Sequence, residues 1–443
     1  MRNGLLLIVV SFLIFAFFIF ASASPETPPQ HAPSLRLSSL GSCSELNISG
    51  TYYVLKRDLL FNSGTVCINI TAPRVTLDCR NRTIFGSVEG IGIYSNQNDT
   101  VLKNCTISFE GTSLSKGVVI SNAARLRVSD VHVSGCGKDG IHLQAVRSAA
   151  VLNPIVDDCQ VGLRLTEVLS SQFSEGLVAH NRMKGVIMQG NSSLNRFERF
   201  IADSNADDGF FIGNEGYGFG KPAPSYNSFI DVVTRNNGDK GITFPLSGTN
   251  NFFFNFTSAY NGASVRLFGV KNTLFVDSSF IAPTTNQIIS ADSGNSNLTL
   301  IRTRFVNTPS NFNDLALVLS SSNNHIFVDT PIGPYTLDKL SVLTISRTNL
   351  GSVYFYTGIK GTGSNMTQDI VIDHNFISFD ASRNLFLNTS ALVTFYNLEF
   401  NTTSLAIARN GVFCSECFNL TSLDQKTVII EVPGAGAYSI IPL

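Results

Sequence analysis

The chain has 443 residues, of which 14% are charged, and a formal net charge of −1. That balance gives no support for nucleic-acid binding, which needs a basic footprint. Its 35 glycines and 34 phenylalanines suit a turn-rich, Phe-filled β protein, and the lack of Trp removes the strongest platform for stacking on sugars or cations.

In chain order, the first element reads as an export segment. Arg2 supplies a positive start, Leu5 to Phe20 is apolar apart from Ser11, and Ala21-Ser22-Ala23 fits a cleavage site. Residues 1–23 are therefore expected to be a signal peptide, with the mature chain starting near Ser24. The same run is close to the lower limit for a membrane anchor, so contact with a membrane is expected only through this segment, if uncleaved. Residues 24–41 are Pro- and Ser-rich and read as a linker.

A repeat follows. Gly-apolar-x-apolar recurs as Gly90-Ile91-Gly92-Ile93, Gly117-Val118-Val119-Ile120, Gly140-Ile141-His142-Leu143, Gly162-Leu163-Arg164-Leu165, Gly185-Val186-Ile187-Met188, Gly209-Phe210-Phe211-Ile212 and Gly241-Ile242-Thr243-Phe244. A near-constant period of this length marks a solenoid whose coils pack only on their neighbours. The apolar spacing is two, and β-branched and aromatic residues dominate, so the coils are strands and not helices. Gly at the head suits a corner with positive φ. A second strand precedes it, as in Phe229-Ile230-Asp231-Val232. Asn181, Asn205 and Asn237 lie four residues before successive glycines, where their side chains can bond up a column. The pattern fades but reaches Ala316-Leu317-Val318-Leu319, giving about ten coils and a length on the order of 50 Å. The solenoid with its N-terminal cap is placed at 42–340. Residues 341–443, where Val393-Thr394-Phe395-Tyr396 and Thr427-Val428-Ile429-Ile430 alternate, are placed in a small β-sandwich-like module.

Eight cysteines fall at pairing distances. Cys79 with Cys105, and Cys136 with Cys159, occupy matching places in neighbouring coils, where stacked strands give the Cα separation of a disulfide. Cys43 and Cys67 remain for the cap. Cys414 and Cys417 remain for a local disulfide, since no second CxxC or nearby His suggests a metal site. Twelve N-x-S/T sequons, at Asn47, Asn69, Asn81, Asn98, Asn104, Asn191, Asn255, Asn297, Asn365, Asn388, Asn401 and Asn419, agree with glycosylation of an exported chain.

Several segments carry a family resemblance. They are Cys67-Ile68-Asn69-Ile70, Val75-Thr76-Leu77-Asp78-Cys79 and Lys103-Asn104-Cys105 on one side, and Ala391-Leu392-Val393-Thr394-Phe395-Tyr396-Asn397-Leu398, Arg409-Asn410-Gly411 and the Cys414/Cys417 pair on the other. With the coil pattern they resemble exported β-helix proteins of archaeal cell envelopes. These are similar to the wider right-handed parallel β-helix, pectin-lyase-like group, which includes NosD-type periplasmic proteins. The resemblance implies an all-β, right-handed parallel β-helix. It also makes a polysaccharide a reasonable partner, although a fold does not assign an activity.

The candidate chemistry lies on the outward column of the repeat, read as Gly92, Val119, His142, Arg164, Ile187, Phe211, Thr243 and Arg266. His142 and Arg164 fall on adjacent rungs, with Asp139 and Asp158 at the nearby corner, a set able to bind or cut an acidic glycan. Asp207 and Asp208 are a second acid pair, of the kind a glycosidase needs as acid and base. Asp is also a common turn residue. The step from Gly209 to Gly241 carries an insertion, Gly213 to Pro222, in which Tyr217 and Phe219 suit sugar stacking and Lys221 an acid group. Six scattered His and no Asp-rich loop argue against a metal, and nothing points to a cofactor. The expectation is an exported, cell-surface or secreted, non-catalytic protein that binds polysaccharide or envelope glycan or serves adhesion, with other surface proteins as further partners. The alternative is a polysaccharide lyase or glycosidase acting on an acidic polysaccharide.

Overall fold

The computed structural model describes residues 36–443 apart from 111–112, 215–221, 246–247, 285–286, 293–296, 307–314, 321–323 and 401–403. The 1–23 segment, most of the linker, Tyr217, Phe219, Lys221 and the sequon at Asn401 lie outside the described residues.

From Asp139 to Val306 each coil contributes three short parallel strands, one more than the sequence suggested; in the earlier coils the second and third faces form one continuous strand, as in Val101–Phe109 and Arg127–Ser134. Asp139–Gln144, Ala150–Leu152 and Ile155–Asp157 make one coil. They stack in register on Val161–Thr166, Gln172–Ser174 and Leu177–Ala179 of the next. Repetition through about 11 turns builds a right-handed parallel β-helix with three faces. The tight corner between the second and third faces takes left-handed backbone, filled in successive coils by residues such as Asn104, Asp130, Asn153, Asp231, Asn255 and Asp277. Asn and Asp tolerate that conformation better than other side chains.

The interior is set by side-chain volume. On the second face, Phe173, Phe197, Phe229, Phe253 and Phe275 stack with centroids 4.5–5.3 Å apart and rings nearly parallel. The third face shrinks to make room: Val178 is followed up the stack by Ala202, Thr234 and Ser258. Phe280 takes the next place on that face as the phenylalanine column gives way to Leu300, so bulk passes from one column to the other within an interior packed at crystal-like density.

The repeated glycine answers to packing and not to φ. None of Gly92, Gly117, Gly140, Gly162, Gly185, Gly209 and Gly241 has a positive φ. A Cβ on any of them would sit 2.6–2.8 Å from the carbonyl oxygen of the matching residue one coil on. The first member of the column is Gly92 and not Gly90, because Ile93 pairs with Val118. Tyr94, not Gly92, therefore stacks on Val119 on the outward side.

Two buried polar ladders run along the stack. In the first, each Asn side-chain oxygen accepts the backbone N–H of its counterpart one coil earlier: Asn181 to Asn205, Asn205 to Asn237, Asn237 to Asn261. The second, Ser171, Asn195, Asn227 and Asn251, makes the same bonds before the second face. The sequence reading missed it.

Cys43–Cys67, Cys79–Cys105 and Cys414–Cys417 are disulfides. Cys136 and Cys159 are not: both are buried free thiols. They stack as expected, but they continue the first ladder. Cys159 Sγ accepts from Cys136 N–H at 3.3 Å, and Cys159 N–H donates to Asn181 Oδ1 at 3.1 Å. Each sulfur takes the place of an amide oxygen. Burial pushes the Cys136 thiol far up, so it stays protonated.

Parallel stacking ends with Tyr335–Arg347, which pairs with the first face at Leu317↔Tyr335 and the second at His325↔Leu343. Gly351–Gly363 then returns antiparallel, followed by Ala391–Phe395 and Val428–Val432. A small separate antiparallel sheet contains Ile370–Asp373, Phe376–Phe379, Gly436–Pro442, Leu405–Arg409 and Val412–Phe413. Its inward residues join the solenoid's core, so the apolar end of the last coil is covered and not left as an open edge.

Candidate functional site

The outward side of the first face carries the candidate charged residues. The residue just before each column glycine runs Lys116, Asp139, Val161, Lys184, Asp208 and Lys240. Two residues beyond each glycine, on the same strand, the outward column stacks Val119, His142, Arg164, Ile187, Phe211 and Thr243 in register. Solenoid geometry thus makes neighbours of residues 22 to 32 positions apart.

Asp139, His142 and Arg164 come together as expected. Arg164 Nε donates to Asp139 Oδ1 at 2.7 Å, and His142 Nδ1 lies 3.5 Å from Asp139 Oδ2. Lys116, which the sequence reading overlooked, reaches the same carboxylate at 3.5 Å. Its signal was available: it precedes a column glycine as Asp139 does. Asp158 does not join. It is exposed at a left-handed corner, φ 51°, and makes no ion pair with this group.

Neither ring nitrogen of His142 has a hydrogen-bond partner, and both are buried. Burial lowers its pKa to about 4; Asp139 opposes this, while Lys116 and Arg164 add to it. The imidazole is therefore neutral at neutral pH, with one donor and one acceptor unused. Arg164 spends only Nε on Asp139, and its two Nη groups make no hydrogen bond among the described residues. Val119 and Ile187, each 7% exposed, flank the pair along the column. Two cations face one carboxylate, so the site carries a net positive charge with a guanidinium fork to spare. That fork matches a carboxylate or sulfate.

Asp207 and Asp208 form a second cluster with Asp239, their carboxylates within 4.8 Å of one another. Lys184 pairs with Asp207, lies 3.9 Å from Asp208 and sits over the Phe211 ring. Lys240 pairs with Asp239 at 2.5 Å. Asp208 is buried and accepts from Thr243 Oγ1 at 2.9 Å and Lys240 N–H at 3.2 Å. Burial, and then the charge of Asp207, push its pKa up to about 7. The three oxygens have the spacing to share a cation, but two lysines already neutralise them. The spacing is also shorter than the roughly 6.5–9.5 Å an inverting glycosidase leaves for its water.

Comparison with known proteins follows the fold. No curated protein sequence matches this chain. Among solved structures, the A-module of mannuronan C-5 epimerase AlgE6 from Azotobacter vinelandii is 13% identical, with TM-score 0.45, over 63% of this chain and 86% of that one. The Dettilon tailspike protein is 11% identical, with TM-score 0.47, over 88% and 87%. The catalytic unit of a GH87 α-1,3-glucanase from Streptomyces thermodiastaticus is 10% identical, with TM-score 0.39, over 64% and 58%. Such distant likenesses concern fold and not chemistry. The model of the right-handed beta helix region matches residues 47–199 and 116–269, which together span half of the sequence. The chain belongs to the right-handed β-helix family.

Proposed function

We propose that this is an exported β-helix protein that binds an acidic glycan on the outward first face, at Lys116, Asp139, His142 and Arg164, without cutting it. One observation carries the reading: the unused Nη groups of Arg164 lie beside a neutral His142 whose two ring nitrogens lack partners. A uronate or sulfated sugar supplies the anion that the fork lacks. Three disulfides and the apolar, A-x-A-terminated leader support a place outside the cytoplasm, at the cell surface or secreted, with glycans on the exposed sequons.

A second reading rests on the same imidazole. A neutral His beside two cations can take the proton α to a uronate carboxylate while the cations hold the resulting charge, the first step of a β-elimination.

The test is calorimetric titration of the protein, as its host processes it, with uronate oligosaccharides, while absorbance of unsaturated products is followed. Binding that weakens at least ~10-fold in Arg164→Ala, with no unsaturated product, is the expected result. Product that vanishes in His142→Ala while binding persists would make the protein a lyase. Binding untouched by either substitution would remove this face from the account.

A further inference from the structure

The third face ends before the other two. Its last strand is Arg304–Val306, stacked on Ser279–Ile281. In the next coil Val328 pairs with Ile301, so Asp329 repeats the corner of Arg302 and Pro331 falls in the place of Arg304. Proline has no N–H for a ladder, and the chain forms no strand there; it turns away to Tyr335–Arg347 on the first face. A groove of about 540 Å³ lies at this step, a volume within the range of small-ligand sites. The corner residues Asn255, Asp277, Arg302 and Asp329 line one side, and the outward third-face residues Ser279 and Arg304 the other.

Pairing inside the groove is uneven. Arg302 donates to both oxygens of Asp277, through Nε at 2.6 Å and Nη2 at 2.8 Å. Asp329 accepts from the Thr348 backbone N–H at 2.8 Å and from the Thr348 hydroxyl. The exposed Arg304 guanidinium makes no hydrogen bond or ion pair among the described residues. Asn255 gives Nδ2 to Asp231 at 2.7 Å and keeps Oδ1, and the Ser279 hydroxyl has no partner among the described residues. The groove thus offers one unspent guanidinium fork, one amide acceptor and one hydroxyl, all set on stacked coils. Arg127 is the contrast: exposed and unpaired too, it stands on the open second face.

We propose that this groove binds a sugar acid, as a second glycan site apart from the first face. A planar carboxylate accepts two parallel bonds from the Arg304 fork, while ring hydroxyls donate to Asn255 Oδ1 and bond to Ser279. A bare anion uses only the fork, and a neutral sugar leaves the fork unspent. Five coil steps and a change of face separate Arg304 from Arg164, about 24 Å along the stack, so one sugar cannot touch both. The groove therefore does not rest on the first-face site.

Ligand-observed NMR titration with D-glucuronate tests this, in the Arg164→Ala protein so that the first-face fork is absent. The expected result is saturable binding whose dissociation constant rises at least ~10-fold when Arg304→Ala is added and stays unchanged when Arg127→Ala is added. D-glucose and acetate should each bind at least ~10-fold more weakly than D-glucuronate. No binding of D-glucuronate to the Arg164→Ala protein, or binding indifferent to Arg304, would overturn the proposal. So would acetate binding as tightly as D-glucuronate, the mark of an adventitious anion site only. Asn255 heads a sequon, and Thr257→Val removes the sequon while leaving the groove residues in place. That variant should bind D-glucuronate unchanged; tighter binding would mean that the chain's own glycan fills the groove, and would equally overturn the proposal. Complete loss of D-glucuronate binding in Arg304→Ala alone would count against the first face and for this groove.

Discussion

Replacing Asn205 by Ala tests how much of the solenoid's stability the buried amide ladder supplies. Asn205 is 1% exposed and makes four side-chain bonds. Its Oδ1 accepts from Asn181 N–H at 3.2 Å and Asn181 Nδ2 at 2.8 Å; its Nδ2 donates to Asn237 Oδ1 at 2.9 Å and Val178 O at 3.2 Å. After substitution Asn237 Oδ1 keeps Asn205 N–H, and Asn181 Nδ2 keeps Val156 O. Asn181 N–H keeps nothing. A buried orphaned donor costs about 1–3 kcal/mol. The lost amide volume adds about 1 kcal/mol. With the remaining lost bonds, the total is about 3–5 kcal/mol. Coils couple mainly to their neighbours, so the loss should concentrate around residues 178–212. Urea unfolding reads the global effect and hydrogen exchange its location. Ser113, an exposed turn residue that donates one bond to Glu89 at 2.6 Å, is the control; its Ala variant should cost under about 0.5 kcal/mol. Equal costs for the two variants, or protection lost uniformly along the chain, would refute the ladder argument.

Two further outcomes follow from the interior and from the site. Alkylation of the denatured, unreduced protein should label Cys136 and Cys159 and no other cysteine; peptide mapping reads this directly, and an unlabelled pair would mean that the ladder geometry is wrong. His142 should titrate near pH 4 by NMR, below the value of about 6.5 for an unfolded chain. Its folded pKa is depressed, so the unfolded state binds the proton more readily. The contribution of neutral His142 is present above about pH 6.5 and is lost as pH falls through 4, and His142→Gln should flatten that limb of a stability–pH curve.

The fold was legible where burial dictates residue type. Period-two apolar residues and the glycine before them mark the first face, because a Cβ at Gly162 would strike Gly185 O. The second and third faces were harder to read. A strand such as Ala150–Leu152 buries one side chain, Val151, and one residue has no period. The second Asn ladder hid among many asparagines: Asn195, Asn227 and Asn251 each stand ten residues before a member of the first ladder, an offset too long for a local pattern to show. Cys136 and Cys159 were misread because stacking spacing suits both a disulfide and an acceptor ladder; only the direction of the sulfurs separates the two. Within the site, His142 and Arg164 followed from register alone. Asp158 did not, because a left-handed corner residue points away from the face that its sequence neighbours define.

The two charged clusters on the first face invite different roles despite their common origin. In the Asp207–Asp208–Asp239 group the charges are matched internally: Lys184 meets Asp207, Lys240 meets Asp239, and Asp208, with a pKa near 7, can be neutral and needs no cation. A ligand anion gains little there, because every ammonium is already engaged. The Asp139 group has a surplus instead, two cations on one carboxylate, and a histidine with nothing to bond. Partly buried unpaired donors are costly in an isolated fold and useful only if something outside completes them. Although Asp139, Lys184 and Asp208 are buried, all of these charged positions lie on the outward side beside the column glycines, so a change of Lys for Asp there alters the outward charges and not the core residues Ile141, Leu163 and Val186 beneath. A rigid interior with independently variable heads is how one solenoid can present a self-contained salt network on some coils and a binding site on others.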